Sequence, residues 1–231
     1  MSGSAGRNAV TSLALNRIAY GINWSNFGSI FPYVAAEYKL DVSSLGLISA
    51  GQILAGAALQ VPGGVIASKL GARRALLLGM SILAVAVMST GLATEVLQLL
   101  LLRFLVGVGM GIAWSPGVIL ITRYFKRGAE GVGVGIFNSA TGIGSVLAIF
   151  GWAFLPLFVG WRVSTWTGGG LLLLTILLVY IPIPPEKGVT NLGVNLKITK
   201  EVLSDKWLNM VSASEEDTSI LASVSCFPYE R

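Results

Sequence analysis

Six long stretches of this chain contain no charged residue. They cover residues 18–36, 42–68, 75–94, 104–122, 131–161 and 163–185, and their lengths are 19, 27, 20, 19, 31 and 23 residues. A helix that crosses the hydrocarbon core of a bilayer needs about 20 mostly apolar residues. Each helix of a soluble bundle would show a charged face, and these stretches show none. The sequence therefore predicts an all-α membrane protein with six transmembrane helices.

The basic residues are distributed unevenly between the two sides of such a bundle. If the N-terminus is inside, the inner segments before the end of the sixth span hold eight basic residues: Arg7, Arg17, Lys69, Arg73, Arg74, Arg123, Lys126 and Arg127. The outer segments hold only Lys39 and Arg162. This positive-inside bias predicts a multi-pass protein of the plasma membrane with both termini in the cytoplasm. It also accounts for the net charge of +5 without a nucleic-acid partner.

Three regions follow from the same pattern. Residues 1–12 form a short cytoplasmic lead, and residues 13–185 form the six-span bundle. Residues 186–231 carry 5 basic and 7 acidic residues, and their longest uncharged stretch, 218–229, has only 12 residues. A seventh span does not fit there. We therefore predict a cytoplasmic tail.

The first span is unusually polar for a membrane helix. Tyr20, Asn23 and Phe27 are spaced three and four residues apart, so they share one helix face. Polar side chains exposed to lipid would lack hydrogen-bond partners. Two interpretations stay open at this stage: the face lines a solute cavity, or it makes hydrogen bonds between helices without a role in binding.

The other spans differ in their small and polar residues. Gly107 and Gly111 of the fourth span form a G-x-x-x-G face that favours close helix packing, and Met110 and Trp114 lie on the same span. Asn138 belongs to the polar centre of the fifth span. The third span is plain Leu, Ala, Val and Met, which suits a peripheral helix facing lipid.

Arg103 is the only charged residue that we place inside a span. The fourth span runs near 96–122, from just after Glu95, so Arg103 lies about 10 Å into it by helix rise. Its guanidinium could reach the outer interface along its apolar stem, or it could bind an anionic solute. No Asp, Glu or His lies in any span, so this part of the chain contains no proton relay of the usual kind.

No pattern of an enzyme is present. The chain lacks a Walker-type phosphate loop and a nucleophile elbow. Histidine is absent and Cys226 is the single cysteine, so no metal-ligand cluster is expected. We predict no cofactor and no metal.

The link between the second and third spans resembles the signature of major facilitator superfamily transporters, which reads roughly G-x-x-x-D-R/K-x-G-x-R-R. The matching residues here are Gly64, Ser68, Lys69, Gly71, Arg73 and Arg74. Arg103, Gly107 and Gly109 resemble the second signature of that family. G-I-F-N-S-A at 135–140 and G-W-R at 160–162 resemble its organic-anion and sugar-phosphate permease branch.

The resemblance implies a cytoplasmic gate at the first signature and a fold of twelve spans in two halves, each half built of inverted three-helix repeats. Two departures matter. Ser68 stands where the signature is acidic, which puts the charge interaction of the gate in doubt. The chain also holds only one half, and residues 186–231 then correspond to the start of the central loop. G-W-R at 160–162 is a candidate inverted counterpart of Gly71-Ala72-Arg73.

By this resemblance, the expected function is secondary active transport of a small organic solute, with an anion as one candidate, by alternating access. The expected cavity residues are Tyr20, Asn23, Phe27, Arg103, Met110, Trp114 and Asn138. The expected partners are the solute, the lipid bilayer, and a second half-transporter or a second copy of the chain. The alternative is a truncated half-carrier that inserts without transporting and at most assembles with another membrane subunit.

Overall fold

The computed structural model describes residues 3–184, and every regular element in that range is helical. The helices are α1 (Gly3–Tyr38), α2 (Val42–Leu70), α3 (Ala72–Thr90), α4 (Val96–Thr122) and α5 (Glu130–Tyr180). The predicted cytoplasmic tail, residues 186–231, lies outside the described residues.

The long helix α5 is interrupted at Gly160. This residue has φ 79° and ψ 157°, a conformation that a residue with a Cβ rarely adopts. We call residues 130–159 the first arm of α5 and residues 161–180 the second arm. The interruption falls at the tight turn that the sequence predicts between the fifth and sixth spans.

Four of the described helices, α2 to α5, are long and apolar enough to cross a membrane. This differs from the prediction of six spans, for two reasons. The predicted fifth and sixth spans form the two arms of one 51-residue element. The first predicted span lies in α1, whose mean hydropathy is lowered by its polar residues, among them Asn16, Asn23 and Asn26.

The helices pack as a bundle in which α1 lies against α5, α2 lies against α4, and α3 lies against both α4 and α5. One end of the bundle, where α2 passes into α3, is called the Gly71 end. The opposite end, where α1 ends and α5 breaks, is called the Gly160 end. The larger core surrounds Leu76, Met80 and Met110, and a smaller core near the Gly160 end contains Phe27 and Trp161.

The peripheral position predicted for the third span is wrong for this structure. Eleven of the 19 residues of α3 are buried. A Cβ added at Gly79 of α3 would lie 2.6 Å from the backbone nitrogen of Ala113, so α3 and α4 are in close backbone contact. A uniformly apolar sequence could not reveal this, because lipid and protein interior favour the same side chains.

The turns at Gly71 and Gly160 have matching geometry and matching contacts. Gly71 has φ 88° and ψ 144°, close to the values at Gly160. An arginine follows each glycine by two residues, and its guanidinium donates hydrogen bonds to backbone carbonyl groups at or just after the C-terminus of a helix. Arg73 Nη2 donates to Tyr180 O at the end of α5, over 2.6 Å. Arg162 Nη1 donates to Gly91 O and Ala93 O just after α3, over 3.0 and 2.8 Å.

These contacts are reciprocal. The arginine that begins α3 binds the end of the second arm of α5, and the arginine that begins the second arm binds the chain just after the end of α3. This is the arrangement expected for the inverted three-helix repeat that the two turns suggest in the sequence.

Candidate functional site

A cleft of about 510 Å³ opens between α1, α2 and the first arm of α5. This volume lies within the range of small-molecule sites. The cleft is lined by Trp24, Ser25, Phe27, Gly28, Ser29, Phe31, Ser49, Gln52, Ile53, Ile149 and Ala153. Its wall is therefore mainly apolar and aromatic, with three hydroxyl groups and one amide, which suits a small solute that carries a few polar atoms.

Arg103 lies directly behind one wall of this cleft. Its side chain is 0% exposed, and Nε, Nη1 and Nη2 find no hydrogen-bond partner among the described residues. Its Cζ lies 3.8 Å from the centroid of the Phe27 ring. The guanidinium therefore does not extend to the outer interface, which was one of the two possibilities given by the sequence. It is enclosed next to a ring that lines the cleft.

Gln52 connects the same cleft to Met110. Both side chains are buried, and Gln52 Nε2 donates to Met110 Sδ over 3.8 Å. A thioether sulfur is a weak acceptor. The Gln52 amide therefore keeps capacity to donate to a stronger acceptor.

A second guanidinium, that of Arg17, is held in an aromatic cage in the larger core. Its Cζ lies 3.7 Å from the ring centroid of Tyr20, 3.8 Å from that of Trp114 and 4.2 Å from that of Phe137. Arg17 Nε also donates to Thr141 Oγ1 over 2.8 Å. Cation–π contacts of this kind stabilise a desolvated cation. The cage joins α1, α4 and the first arm of α5.

The sequence pattern led us to count Arg17 among the basic residues of the inner side, and it did not predict this cage. The signal available was Tyr20, one helical turn after Arg17 on the same face. Trp114 and Phe137 lie far away in the chain, and only the folded bundle brings them to the same guanidinium.

The structure divides the seven predicted cavity residues into separate groups. Phe27 meets Arg103, and Tyr20 meets Trp114 at 6.0 Å between ring centroids. Met110 meets Gln52, as described above. Asn138 is exposed on the first arm of α5.

Asn23 takes part in hydrogen bonds between helices. It is 0% exposed, and its Nδ2 donates to Ala19 O over 2.9 Å and to Gly168 O over 3.2 Å. Its Oδ1 accepts from Asn26 Nδ2 over 3.1 Å. These contacts connect α1 to the second arm of α5, and hydrogen bonding between helices is one of the two interpretations that the sequence left open.

The signature residues at the Gly71 end do not meet in one cluster. Gly64 is buried, whereas Lys69 and Arg74 are exposed. Ser68 Oγ donates to Val65 O over 2.7 Å, within its own helix. Arg73, which is 7% exposed, faces the end of α5. The side chain of Ser68, which stands where the signature is acidic, therefore hydrogen-bonds within its own helix.

At the Gly160 end, Arg162 is the centre of a polar network. It pairs with Glu37 over 2.5 Å, and Trp161 Nε1 donates to the same carboxylate over 2.6 Å. Tyr38 Oη donates to Ala93 O over 2.8 Å. The hydrogen bond from Arg162 lowers the pKa of Glu37, and the carboxylate in turn raises the pKa of Arg162. The network ties together α1, the α3–α4 loop and the second arm of α5.

The lowered pKa of Glu37 predicts a loss of stability in acid. A carboxylate with a lowered pKa in the folded state contributes stability above its ordinary pKa of about 4.3, and that contribution is lost as the pH falls through the lowered value. We expect the unfolding temperature of the detergent-solubilised chain to fall below pH 5, and to fall less in Glu37→Gln.

The comparison with Glu37→Gln is needed because Asp41 also has a lowered pKa. Its carboxylate accepts from Ser44 Oγ and Ser44 N at the start of α2. Identical acid profiles for the wild type and Glu37→Gln would assign the acid effect to Asp41 or other groups and contradict the prediction.

No group of three or more potential metal ligands exists among residues 3–184.

Several known proteins resemble this chain. It is 29% identical over 151 residues to the probable nitrate transporter NarT of Staphylococcus haemolyticus, which covers 62% of this chain and 39% of that protein. It is 32% identical over 145 residues to the probable sulfoacetate transporter SauU of Cupriavidus necator, which covers 63% of this chain and 34% of that protein. The chain thus spans well under half the length of these relatives.

The fold also has a solved counterpart. The proton:xylose symporter XylE superposes on 98% of this chain with a TM-score of 0.72, at 14% sequence identity, and the match covers 51% of XylE. Identity at this level shows the fold alone. Residues 13–227 match the Major Facilitator Superfamily. Since that match extends over most of the sequence and the helical bundle has the fold of a solved transporter of this type, the chain belongs to the Major Facilitator Superfamily.

Proposed function

We propose that this chain supplies one half of a secondary active transporter for small oxyanions, working by alternating access. The observation that carries the proposal is Arg103, a buried cation without a hydrogen-bond partner among the described residues, directly behind the wall of the cleft. Family membership favours a transporter over an enzyme. The relatives named for nitrate and sulfoacetate transport favour an anion, because both solutes present negatively charged oxygens.

The proposed membrane arrangement has six spans: α1, α2, α3, α4 and the two arms of α5. Each arm is long enough to cross the hydrocarbon core on its own at 1.5 Å per residue. The polar residues of α1 are compatible with a span because Asn16, Asn23 and Asn26 are buried inside the bundle. In this proposal the Gly71 end and both termini lie in the cytoplasm, which the excess of basic residues on that side supports.

In this proposal the cleft belongs to the solute path. Phe27 and Arg103 form its anion-recognising side. Met110 lies behind Gln52, which lines the cleft and donates a hydrogen bond to the Met110 sulfur. Tyr20 and Trp114 line the path further toward the Gly71 end, where they enclose Arg17. Asn138 is exposed on the face that a second half would cover.

The signature residues at the Gly71 end are proposed to form the cytoplasmic gate. Lys69 and Arg74 are exposed and free to meet a second half, whereas Arg73 holds the end of α5 within this half. The gate would then depend on positive charge at Lys69 and Arg74 without an acidic residue at position 68.

Uptake by the purified chain in liposomes tests the proposal. We expect nitrate or sulfoacetate to accumulate in response to an imposed gradient, with a second copy of the chain serving as the other half. Arg103→Gln should lower that uptake by about tenfold, the loss typical of one charge-assisted contact. The matched control is Arg127→Gln, an exposed arginine in the loop after α4, which removes the same charge far from the cleft. Equal uptake by Arg103→Gln and Arg127→Gln would show that Arg103 does not take part in solute recognition.

The alternative function is that of a half-carrier that inserts and assembles with another membrane subunit without transporting alone. It is favoured by one observation: the chain covers only 39% of NarT and 34% of SauU. Alternating access requires two halves that move around a central site. Absence of uptake across nitrate, sulfoacetate and other small anions, in a chain that is folded in the liposome, would support this alternative.

A further inference from the structure

The Arg103 guanidinium is a buried charge whose electrostatic balance is incomplete. Among the described residues its three nitrogens have no hydrogen-bond partner. An unpaired buried charge is costly, and one cation–π contact compensates for only part of that cost. The site therefore favours an anion.

The part of the chain that the structure describes offers no carboxylate near Arg103 to fill that role. The uncharged run 104–122 follows Arg103 directly, and Glu95 is eight residues earlier, about 12 Å away along the helix. Neither Asp nor Glu occurs in the runs of α1, α2 or the first arm of α5 that surround the cleft. Within the described residues the counter-charge is absent, and a bound solute anion would supply it.

Phe27 separates this guanidinium from the cleft. Its ring lines the cleft, and its centroid lies 3.8 Å from Arg103 Cζ. The neighbouring ring of Phe31 meets Phe27 edge-on, with centroids 4.7 Å apart. A Cβ built at Gly28, the next residue and also part of the cleft lining, would meet no atom within 4 Å, so the cleft is open at that position.

From this geometry we infer that Phe27 is an aromatic lid over an anion site formed by Arg103, and that a small monovalent oxyanion takes the place of the ring at the guanidinium when the lid turns into the cleft. A planar guanidinium binds two oxygens of nitrate, a carboxylate or a sulfonate side by side. The Gln52 amide supplies a further donor. This inference deepens the proposed function and rests on it for the choice of ligand.

The lid is tested by chemical modification of Arg103 itself. A water-soluble phenylglyoxal reagent labels accessible guanidinium groups, and mass spectrometry of the digested protein gives the rate at each arginine. The full chain is used in nanodiscs, with Arg162 as the internal reference because its side chain is 36% exposed. No transport is needed for this readout.

Three variants define the expected result. Phe27→Leu keeps an apolar side chain but removes the π face, and it should speed labelling of Arg103 about tenfold relative to Arg162. Phe27→Tyr keeps the ring, so Arg103 should be labelled at the wild-type rate in this variant. Ile53→Ala enlarges the same cleft from α2 without touching the guanidinium contact and should leave the rate unchanged.

The ligand is tested with potassium nitrate as the probe. Nitrate should protect Arg103 from labelling in wild type and in Phe27→Leu, whereas potassium gluconate at equal ionic strength, an anion too large for the space of one phenyl ring, should not. Equal labelling rates in Phe27→Leu and wild type would overturn the lid. Equal labelling with nitrate and gluconate would overturn the anion site.

This experiment separates the inference from the transport proposal. Faster labelling in Phe27→Leu together with nitrate protection, but without liposome uptake, would uphold the lid and contradict transport by this chain. Nitrate uptake by a chain in which Phe27→Leu does not change the labelling of Arg103 would support transport and contradict the lid.

Discussion

Gly107→Ala should be among the most destabilising single-methyl changes in this protein. A Cβ at position 107 would lie 2.1 Å from Gln52 O and 2.9 Å from Ala55 Cβ, so α2 and α4 would have to move apart. The obstacle is a backbone carbonyl, which cannot rotate away as a side chain could. We expect a loss of about 3 kcal/mol in the free energy of unfolding, or roughly 6 to 12 °C in Tm for a chain of this length.

Thermal unfolding in detergent, followed by helical circular dichroism, measures this effect. Gly51→Ala is the matched control, because it adds the same methyl group to α2 at a position where no atom lies within 4 Å. Alanine is the better helix former, so Gly51→Ala should keep or slightly raise Tm. Equal Tm values for the two variants would show that α2 and α4 are not in close contact at Gly107.

Replacing Arg162 should have the second largest effect. Arg162→Gln removes the ion pair with Glu37 and the donors to Gly91 O and Ala93 O just after α3. Carbonyl groups left without a donor cost free energy, while the pair with Glu37 adds little because both side chains are partly exposed. We expect a loss of about 2 kcal/mol, or roughly 4 to 8 °C in Tm.

The same unfolding measurement applies, with Arg162→Lys as the diagnostic variant. Lysine keeps the charge but lacks the fork of donors that reaches a carboxylate and two carbonyl groups together. It should therefore recover only a small part of the loss. Full recovery in Arg162→Lys would mean that charge alone matters and that the hydrogen bonds to the α3–α4 loop do not. Arg127→Gln controls for the general loss of one positive charge.

The contacts of Gly107 and of Arg162 differ in how far the sequence predicted them. The spacing of Gly107 and Gly111 predicted a close helix contact, and the structure supplies the partner: a Cβ at Gly111 would lie 2.3 Å from Gly56 O of α2. The G-W-R turn was predicted as well, but its contacts were not. Arg162 meets Glu37, 125 residues earlier in the chain, and local spacing carries no information on such a pair.

The candidate site shows the same division. Arg103 was selected from the sequence because a charge inside an apolar run is rare. Its enclosure by Phe27 was not predicted, since the two residues were chosen independently. Arg17 was counted with the inner segments because it precedes the uncharged run, although the helix extends back to Gly3 and carries Arg17 into the core.

The sequence by itself determined the membrane class, the positions of the turns and the family, because charges are excluded from spans and glycines are required where the backbone turns. Only the tertiary structure decided which side chains meet: the burial of α3, the aromatic cage of Arg17, the ring over Arg103, and the reciprocal contacts of Arg73 and Arg162. The physical reason is that a lipid-facing surface and a protein interior are equally apolar. A membrane helix therefore shows little amphipathic pattern, and its partners become known only when the bundle is assembled.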